Sequence, residues 1–289
     1  MQAPSPLLLL LPLLLFSALP APSLGWGVDG HLMICQIAQG RLSGAAAAAA
    51  KDLLPSYAGG NLSSVCSWAD DVKFRYRWSA QLHYIDTPDG LCNYSYDRDC
   101  KDEEGVKGRC VAGAINNYTS QLLTYGRSSA AAQYNLTQAL LFLSHFIGDI
   151  HLPLHVGFTS DKGGNTVDVH WYRRKTVLHH VWDDNIIETA EDDFYGDGVA
   201  DFIDILTKNI TGEWSDQVPS WEECGKNQTA CPDIYATESI AAACDWAYKG
   251  VKDDSTLEDA YFSSRLPVVN LRLAQGGVRL AATLNRIFG

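Results

Sequence analysis

Basic side chains are scarce in this chain: 22 Lys and Arg stand against 34 Asp and Glu among 289 residues, a formal charge of −12. That balance argues against a protein that holds nucleic acid through a broad basic surface. No C-x-x-C spacing occurs among the eight cysteines, which removes zinc-ribbon and dithiol redox motifs. Beyond residue 25 no apolar run is long enough to span a bilayer. No linker, repeat or low-complexity tract divides the chain after that point. Disorder is excluded too, because 46% of the residues are apolar and 13 are tyrosine. What remains is a globular chain, long enough to bury a core without help from disulfides, and the helical periodicity described below makes it mainly α.

Residues 1–25 contain no charged side chain. Their leucine-rich run is short, is interrupted by Pro12, and ends in Ser23-Leu24-Gly25. This reads as a secretory signal rather than a membrane anchor, leaving residues 26–289 as one mature domain that begins at Trp26. An oxidising compartment would pair all eight cysteines, Cys35, Cys66, Cys92, Cys100, Cys110, Cys224, Cys231 and Cys244. Cys100 with Cys110 and Cys224 with Cys231 are attractive local pairs, and the connectivity is otherwise open. Six N-x-S/T sequons, at Asn61, Asn93, Asn117, Asn135, Asn209 and Asn227, point to a glycoprotein. The destination is the secretory pathway, ending outside the cell or in the vacuole.

Periodicity and capping predict helices over residues 29–39, 43–54, 64–77, 112–125, 137–150, 201–209, 234–248 and 255–285, with another starting at residue 181. The alanine run Ala45 to Ala50 supplies helix propensity and Pro55 ends that helix. Residues 84–109 read as a loop rich in Asp, Gly and Cys. Residues 166–172 and 176–178 read as a small β-hairpin around Arg173-Arg174-Lys175.

Chemistry concentrates in His and Asp. His145 and Asp149 are four apart on a strongly predicted helix, so they share one face. His155 follows Pro153, and His179 with Asp183 repeat the spacing. His31, Asp70 and His83 lie upstream. His and Asp together suit a borderline or hard divalent ion such as zinc. One H-x-x-x-D pair is common and is usually a surface pair. Two of them, with His151 and His155 between, are harder to dismiss.

The start of the mature chain, Trp26-Gly27-Val28-Asp29-Gly30-His31, combines with His83-Tyr84-Ile85-Asp86-Thr87-Pro88, Ser144-His145-Phe146-Ile147-Gly148-Asp149, Gly163-Gly164-Asn165-Thr166 and Leu178-His179-His180-Val181-Trp182-Asp183. Taken as a set, these segments resemble the zinc-dependent single-strand nucleases of plants and fungi, of the mung-bean-nuclease type. The resemblance extends over essentially the whole mature chain.

It implies a mainly helical fold shared with bacterial zinc phospholipase C, and a cluster of three zinc ions. One ion would take Asp70, His83, His145 and Asp149. A second would take His31, Asp149 as a bridge, and the amine and carbonyl of Trp26. The third would take His155, His179 and Asp183. An α-amine ligates only when free and deprotonated, so cleavage would have to fall after Gly25.

The implied reaction is in-line hydrolysis of single-stranded RNA and DNA to 5′-phosphate products, with 3′-nucleotides as further substrates. Asp70 would orient the attacking water, Asp149 would join two ions, and Lys73 would meet the charge on phosphorus. Tyr84 would stack on a base and Asp86 would accept hydrogen bonds from its edge. His151, His170 and His180 are expected to be structural groups or to support the ligands, whose other ring nitrogens need partners that these histidines or nearby carboxylates could help supply. A monomer without membrane attachment is the simplest assembly. A zinc phospholipase and a non-catalytic zinc-binding glycoprotein are the alternatives.

Overall fold

Helices dominate the computed structural model, which describes residues 26–127, 133–196, 198–225 and 228–289. The leader expected at residues 1–25 and the sequon at Asn227 lie outside the described residues. In chain order the helices are Val28–Gln39 (α1), Gly44–Leu53 (α2), Trp68–Val72 (α3), Tyr96–Asp99 (α4), Val111–Leu122 (α5) and Leu136–Asp149 (α6). They continue with Leu178–His180 (α7), Ile186–Phe194 (α8), Val199–Thr211 (α9), Val218–Glu222 (α10), Pro232–Ala242 (α11) and Asp259–Phe288 (α12). No described helix is long and apolar enough to cross a membrane.

Helix α6 is central. Asn135 caps it by accepting from the Gln138 amide at 3.0 Å. Every residue from Ala139 to Asp149 is buried, so the helix is enclosed on all sides. Helix α5 packs along it, with Tyr118 stacked on Phe142 at 5.0 Å. Helices α1 and α12 form the other main pair. Glycine is required there: a Cβ on Gly277 would lie 2.5 Å from Ile37 Cγ2 of α1.

Three short strands form the sheet, Asp168–Trp171 (β1), Arg174–Val177 (β2) and Ser255–Leu257 (β3), in the order β2-β1-β3. Strands β1 and β2 are antiparallel with Trp171 opposite Arg174, so the hairpin turns at Tyr172-Arg173, with Tyr172 at φ 53°.

Two expectations need correction. Residues 255–257 are strand, not helix: they run parallel to β1, pairing Thr256 with His170, and α12 begins only at Asp259. Residues 64–77 are not one helix either. Trp68–Val72 is a short helix, and a 3₁₀ segment, Arg77–Leu82, follows after a break. That break turns the chain so that Lys73 and Phe74 meet the cleft described below.

Four disulfides join Cys35 to Cys66, Cys92 to Cys244, Cys100 to Cys110, and Cys224 to Cys231, leaving no free cysteine. Both local pairs read from the sequence are present. Of the sequons, Asn61, Asn93, Asn117 and Asn135 are exposed and Asn209 is half-buried.

Candidate metal centre and cleft

Four segments converge at the C-terminal end of α6. His145 and Asp149 project from its last turns, and His31 arrives from α1. Its approach depends on Gly148, where a Cβ would lie 2.6 Å from His31 Nδ1. After His83, which ends the preceding 3₁₀ segment, residues 84–87 pair with the segment after α6, the Ile85 amide donating to the His155 carbonyl at 2.8 Å and Thr87 to Gly157 at 3.0 Å. An extended strand alternates its sides. Ile85 and Thr87 are accordingly buried, as is His83 before them, while Tyr84 and Asp86 are only half-buried and line the cleft.

Asp149 is the hub. Its Oδ1 lies 3.3 Å from His31 Nε2, and its Oδ2 lies 2.9 Å from His83 Nδ1 and 3.3 Å from His145 Nε2. Asp70 sits 3.6 Å from both His83 Nδ1 and His145 Nε2. Beyond the β1–β2 hairpin, α7 leads into a π-helical turn, Val181–Asn185, which brings His179 Nε2 to 3.5 Å from Asp183 Oδ2. Trp26 is buried beside this turn, because the Gly27 amide donates to the Asp183 carbonyl at 3.0 Å.

Three of the imidazoles are oriented by backbone carbonyls. The Nδ1 atoms of His145, His155 and His179 donate to the carbonyls of Cys66 at 2.8 Å, His83 at 2.7 Å and Gly163 at 2.6 Å. A carbonyl can only accept, so these nitrogens carry the hydrogens, and in the neutral ring Nε2 is the atom left with a lone pair for a ligand. Backbone carbonyls, rather than His151, His170, His180 or nearby carboxylates, thus partner these three rings. His151 is held between the Ile147 carbonyl and Arg279. His170 faces Asp254 at 3.5 Å and His180 faces Asp184 at 2.9 Å.

The electrostatics suit cation binding. Burial pushes His31 down to about 4, with His145 adding to the effect. Burial and then His155 push His179 down to about 3. Both are therefore neutral, the ligating form, above strongly acidic pH. For Asp149, burial opposes ionisation, but His145, His155 and His83 outweigh it and hold the carboxyl well below its usual range. Asp183 moves the other way: burial, then Asp184, Asp70 and Asp149, raise it well above that range.

Buried atoms without hydrogen bonds include both nitrogens of His31, Asp70 Oδ1, Asp149 Oδ1, both oxygens of Asp183 and Lys73 Nζ. Leaving such atoms unpaired costs roughly 1–3 kcal/mol each. Their convergence fits metal ligation. Ligand atoms of His31, His145 and Asp149 lie within 4.8 Å of one another, as do those of Asp70, His83 and His145, and those of His155, His179 and Asp183. A further group, His180 with Asp183 and Asp184, meets the same criterion and was not anticipated from sequence.

The cluster forms part of the lining of a cleft of about 1480 Å³. Tyr84 and Asp86 line it. Burial, then the neighbouring acids, raise Tyr84 to about 12, and burial and Glu103 raise Asp86 to about 6. Lys73 also lines it, with Nζ 3.8 Å from Asp70 Oδ1; burial lowers its pKa although Asp70 opposes the shift. Four more basic residues border the same space, Arg77, Lys162, Arg174 and Lys175. The acidic chain thus has a locally basic cleft, which the overall charge concealed. Sequence reasoning named Arg174 and Lys175 only as hairpin residues and missed Arg77 and Lys162, which come from separate segments and share no spacing with them.

The family described as S1/P1 Nuclease matches residues 26–289. Endonuclease 2 of Arabidopsis thaliana is 67% identical over 271 residues, covering 93% of each chain. Endonuclease 4 of the same plant is 56% identical over 269 residues, covering 92% of this chain and 90% of the relative. Nuclease S1 of Aspergillus oryzae is 33% identical over 285 residues, covering 93% of this chain and 94% of the relative.

Proposed function

Because the chain belongs to the S1/P1 nuclease family, and so to hydrolases acting on nucleic acids, we propose that it is a secreted three-zinc endonuclease. It cuts single-stranded RNA and DNA to 5′-phosphate products and also hydrolyses 3′-nucleotides. The observation that carries this reading is the convergence of unpaired buried His and Asp atoms in a locally basic cleft.

The residues that would hold zinc are Asp70, His83, His145 and Asp149 for one ion, and His31, Asp149 and the amine and carbonyl of Trp26 for another. His155, His179 and Asp183 would hold the third. Removal of residues 1–25 as a signal peptide frees the Trp26 amine, whose reference pKa of about 7.7–8.0 permits ligation near neutrality. Residues 26–289 then form the mature nuclease domain. Zinc in these positions supplies positive charge for a phosphate and makes water a nucleophile near neutral pH.

The chain's own groups do the rest. Asp70, mostly buried beneath the cleft and next to Lys73, accepts a hydrogen from the attacking water and aims it at phosphorus. Lys73 presents a partly desolvated ammonium to the non-bridging oxygens. Tyr84 offers a ring face to a base, and Asp86 accepts from donors on the base edge. Stacking requires an unpaired base, which accounts for the choice of single strands. The four disulfides and the exposed sequons fit export to the extracellular space or vacuole, and the enzyme acts as a monomer.

Metal analysis on protein with a verified Trp26 terminus, alongside assays on single-stranded RNA and DNA, tests the proposal. About three zinc ions per chain and chelator-sensitive cleavage are expected. Zinc-loaded protein that leaves single strands intact but hydrolyses phosphatidylcholine would sink it in favour of a phospholipase.

A further inference from the structure

The cleft extends well past the His/Asp cluster, and its outer lining is unusual in two respects. Phe74 lines it while 70% exposed, with Lys73 Nζ 5.4 Å from its ring centroid and no aromatic partner among the described residues. A solvated phenyl ring at a cleft wall is a face available for stacking. The lining cations also divide into two kinds. Lys73 is buried against Asp70, and Lys175 is tied to Asp168 at 2.7 Å. Arg77, Lys162 and Arg174 are exposed and make no ion pair among the described residues. They come from three separate segments: the 3₁₀ segment after α3, the loop leading to β1, and β2 itself.

Resting on the nuclease reading above, we propose that this outer cleft is a binding track for the nucleotides flanking the scissile one. Phe74 stacks on a second base, and Arg77, Lys162 and Arg174 contact successive phosphates. The track makes an extended single strand, rather than an isolated nucleotide, the preferred ligand. The arrangement is the one general to single-strand binding, an aromatic platform for bases with cations along the backbone. A duplex cannot use it, because its bases are already stacked on each other. Arg173 supplies an internal control: it is exposed in the same hairpin turn, next to Arg174, but does not line the cleft.

The test is binding of the zinc-loaded protein to a labelled oligothymidylate of about eight residues, read by fluorescence anisotropy. Its bridging 3′ oxygens are replaced by methylene groups, which keep the charge and block hydrolysis. Phe74→Ala should weaken binding roughly tenfold without altering its salt dependence. Lys162→Ala and Arg174→Ala should each make the slope of log affinity against log salt shallower by about 0.7. Arg173→Ala should change neither. Against a dinucleotide of the same chemistry the Phe74, Lys162 and Arg174 variants should resemble wild type, an outcome that misfolding would not give. Wild type that fails to bind the longer strand, an unchanged Phe74→Ala, or an Arg173→Ala effect equal to that of Arg174→Ala would each overturn the proposal. Wild type that binds the blocked strand but never cuts the natural one would leave the track standing and remove the endonuclease reading.

Discussion

Two polar clusters are buried at the C-terminal end of α6, and they solve the same physical problem in opposite ways. On one side lie Arg272 and Arg279 of α12 with Glu238 of α11 and His151. Arg272 donates to Glu238 at 2.7 Å, Ser239 at 2.6 Å, Gln275 at 2.7 Å and the His151 carbonyl at 3.1 Å. Arg279 reaches both oxygens of Glu238 and, at 3.1 Å, His151 Nε2. Burial and the two arginines hold His151 well below its usual pKa, and it serves as a neutral acceptor. On the other side lies the His31, Asp70, His145, Asp149 and Asp183 cluster, which leaves buried atoms of four of those five side chains unpaired. Burial alone therefore does not mark a functional site. The convergence of several unpaired ionisable groups at one place does, since single unpaired hydroxyls such as those of Tyr235 and Thr283 also occur away from it.

The largest effect is expected on the unfilled side. Asp149→Ala should abolish zinc at two positions and cut single-strand cleavage by about a thousandfold or more, about 4 kcal/mol of transition-state stabilisation. Metal content and cleavage rate measured on the same preparation check this. Retention of both would mean that the hub is not the reacting centre. The filled side should behave in the converse way. Glu238→Ala leaves two guanidiniums, with side chains 3–4% exposed, without their carboxylate. It should cost about 3 kcal/mol of folding stability, the low end of the range for breaking a buried pair since Glu238 itself is partly exposed. Denaturant unfolding measures that loss, while zinc per folded chain stays constant. A Glu238→Ala protein that keeps its stability but loses zinc would collapse the distinction between the two clusters.

How much of this was visible in the sequence depends on how far apart the cooperating groups lie. His145 with Asp149, and His179 with Asp183, were legible because helical periodicity alone puts residues four apart on one face. The assembly of those pairs with His31, Asp70 and His83 was legible only through the family resemblance, since no spacing links them. The supporting carbonyls of Cys66, His83 and Gly163 were invisible: every residue has a carbonyl, and only the fold selects which one faces an imidazole. The cleft role of the outer cations Arg77, Lys162 and Arg174 was invisible too, Arg174 showing only as a hairpin residue, because they were diluted in a composition with a twelve-charge acidic excess. The short strand β3 was misread as the start of α12 because three residues carry too little periodicity to declare themselves before a 30-residue helix.

A smaller effect sharpens the comparison within the cleft itself. Asp86 is raised to about 6 by burial first and Glu103 second, while Lys162 opposes the rise. Only the ionised carboxylate has every lone pair free to accept from a base edge, so affinity for bases presenting N–H donors should fall as pH drops below about 6. The decline can reach at most about tenfold per pH unit for one proton. Asp86→Asn should remove this limb. The neighbours should then move it in opposite directions. Glu103→Gln deletes a negative charge, favours ionisation and shifts the midpoint to lower pH. Lys162→Ala deletes a positive charge and shifts it to higher pH. Each shift should be about a few tenths of a unit, as suits exposed partners in water. Binding of a labelled cytosine-containing strand across pH 4.5–7.5 reads all three variants. Shifts of the same sign for Glu103→Gln and Lys162→Ala would mean that the limb belongs to some group other than Asp86. Opposite shifts would tie base recognition to a carboxylate whose proton is set by the same lysine that binds the backbone.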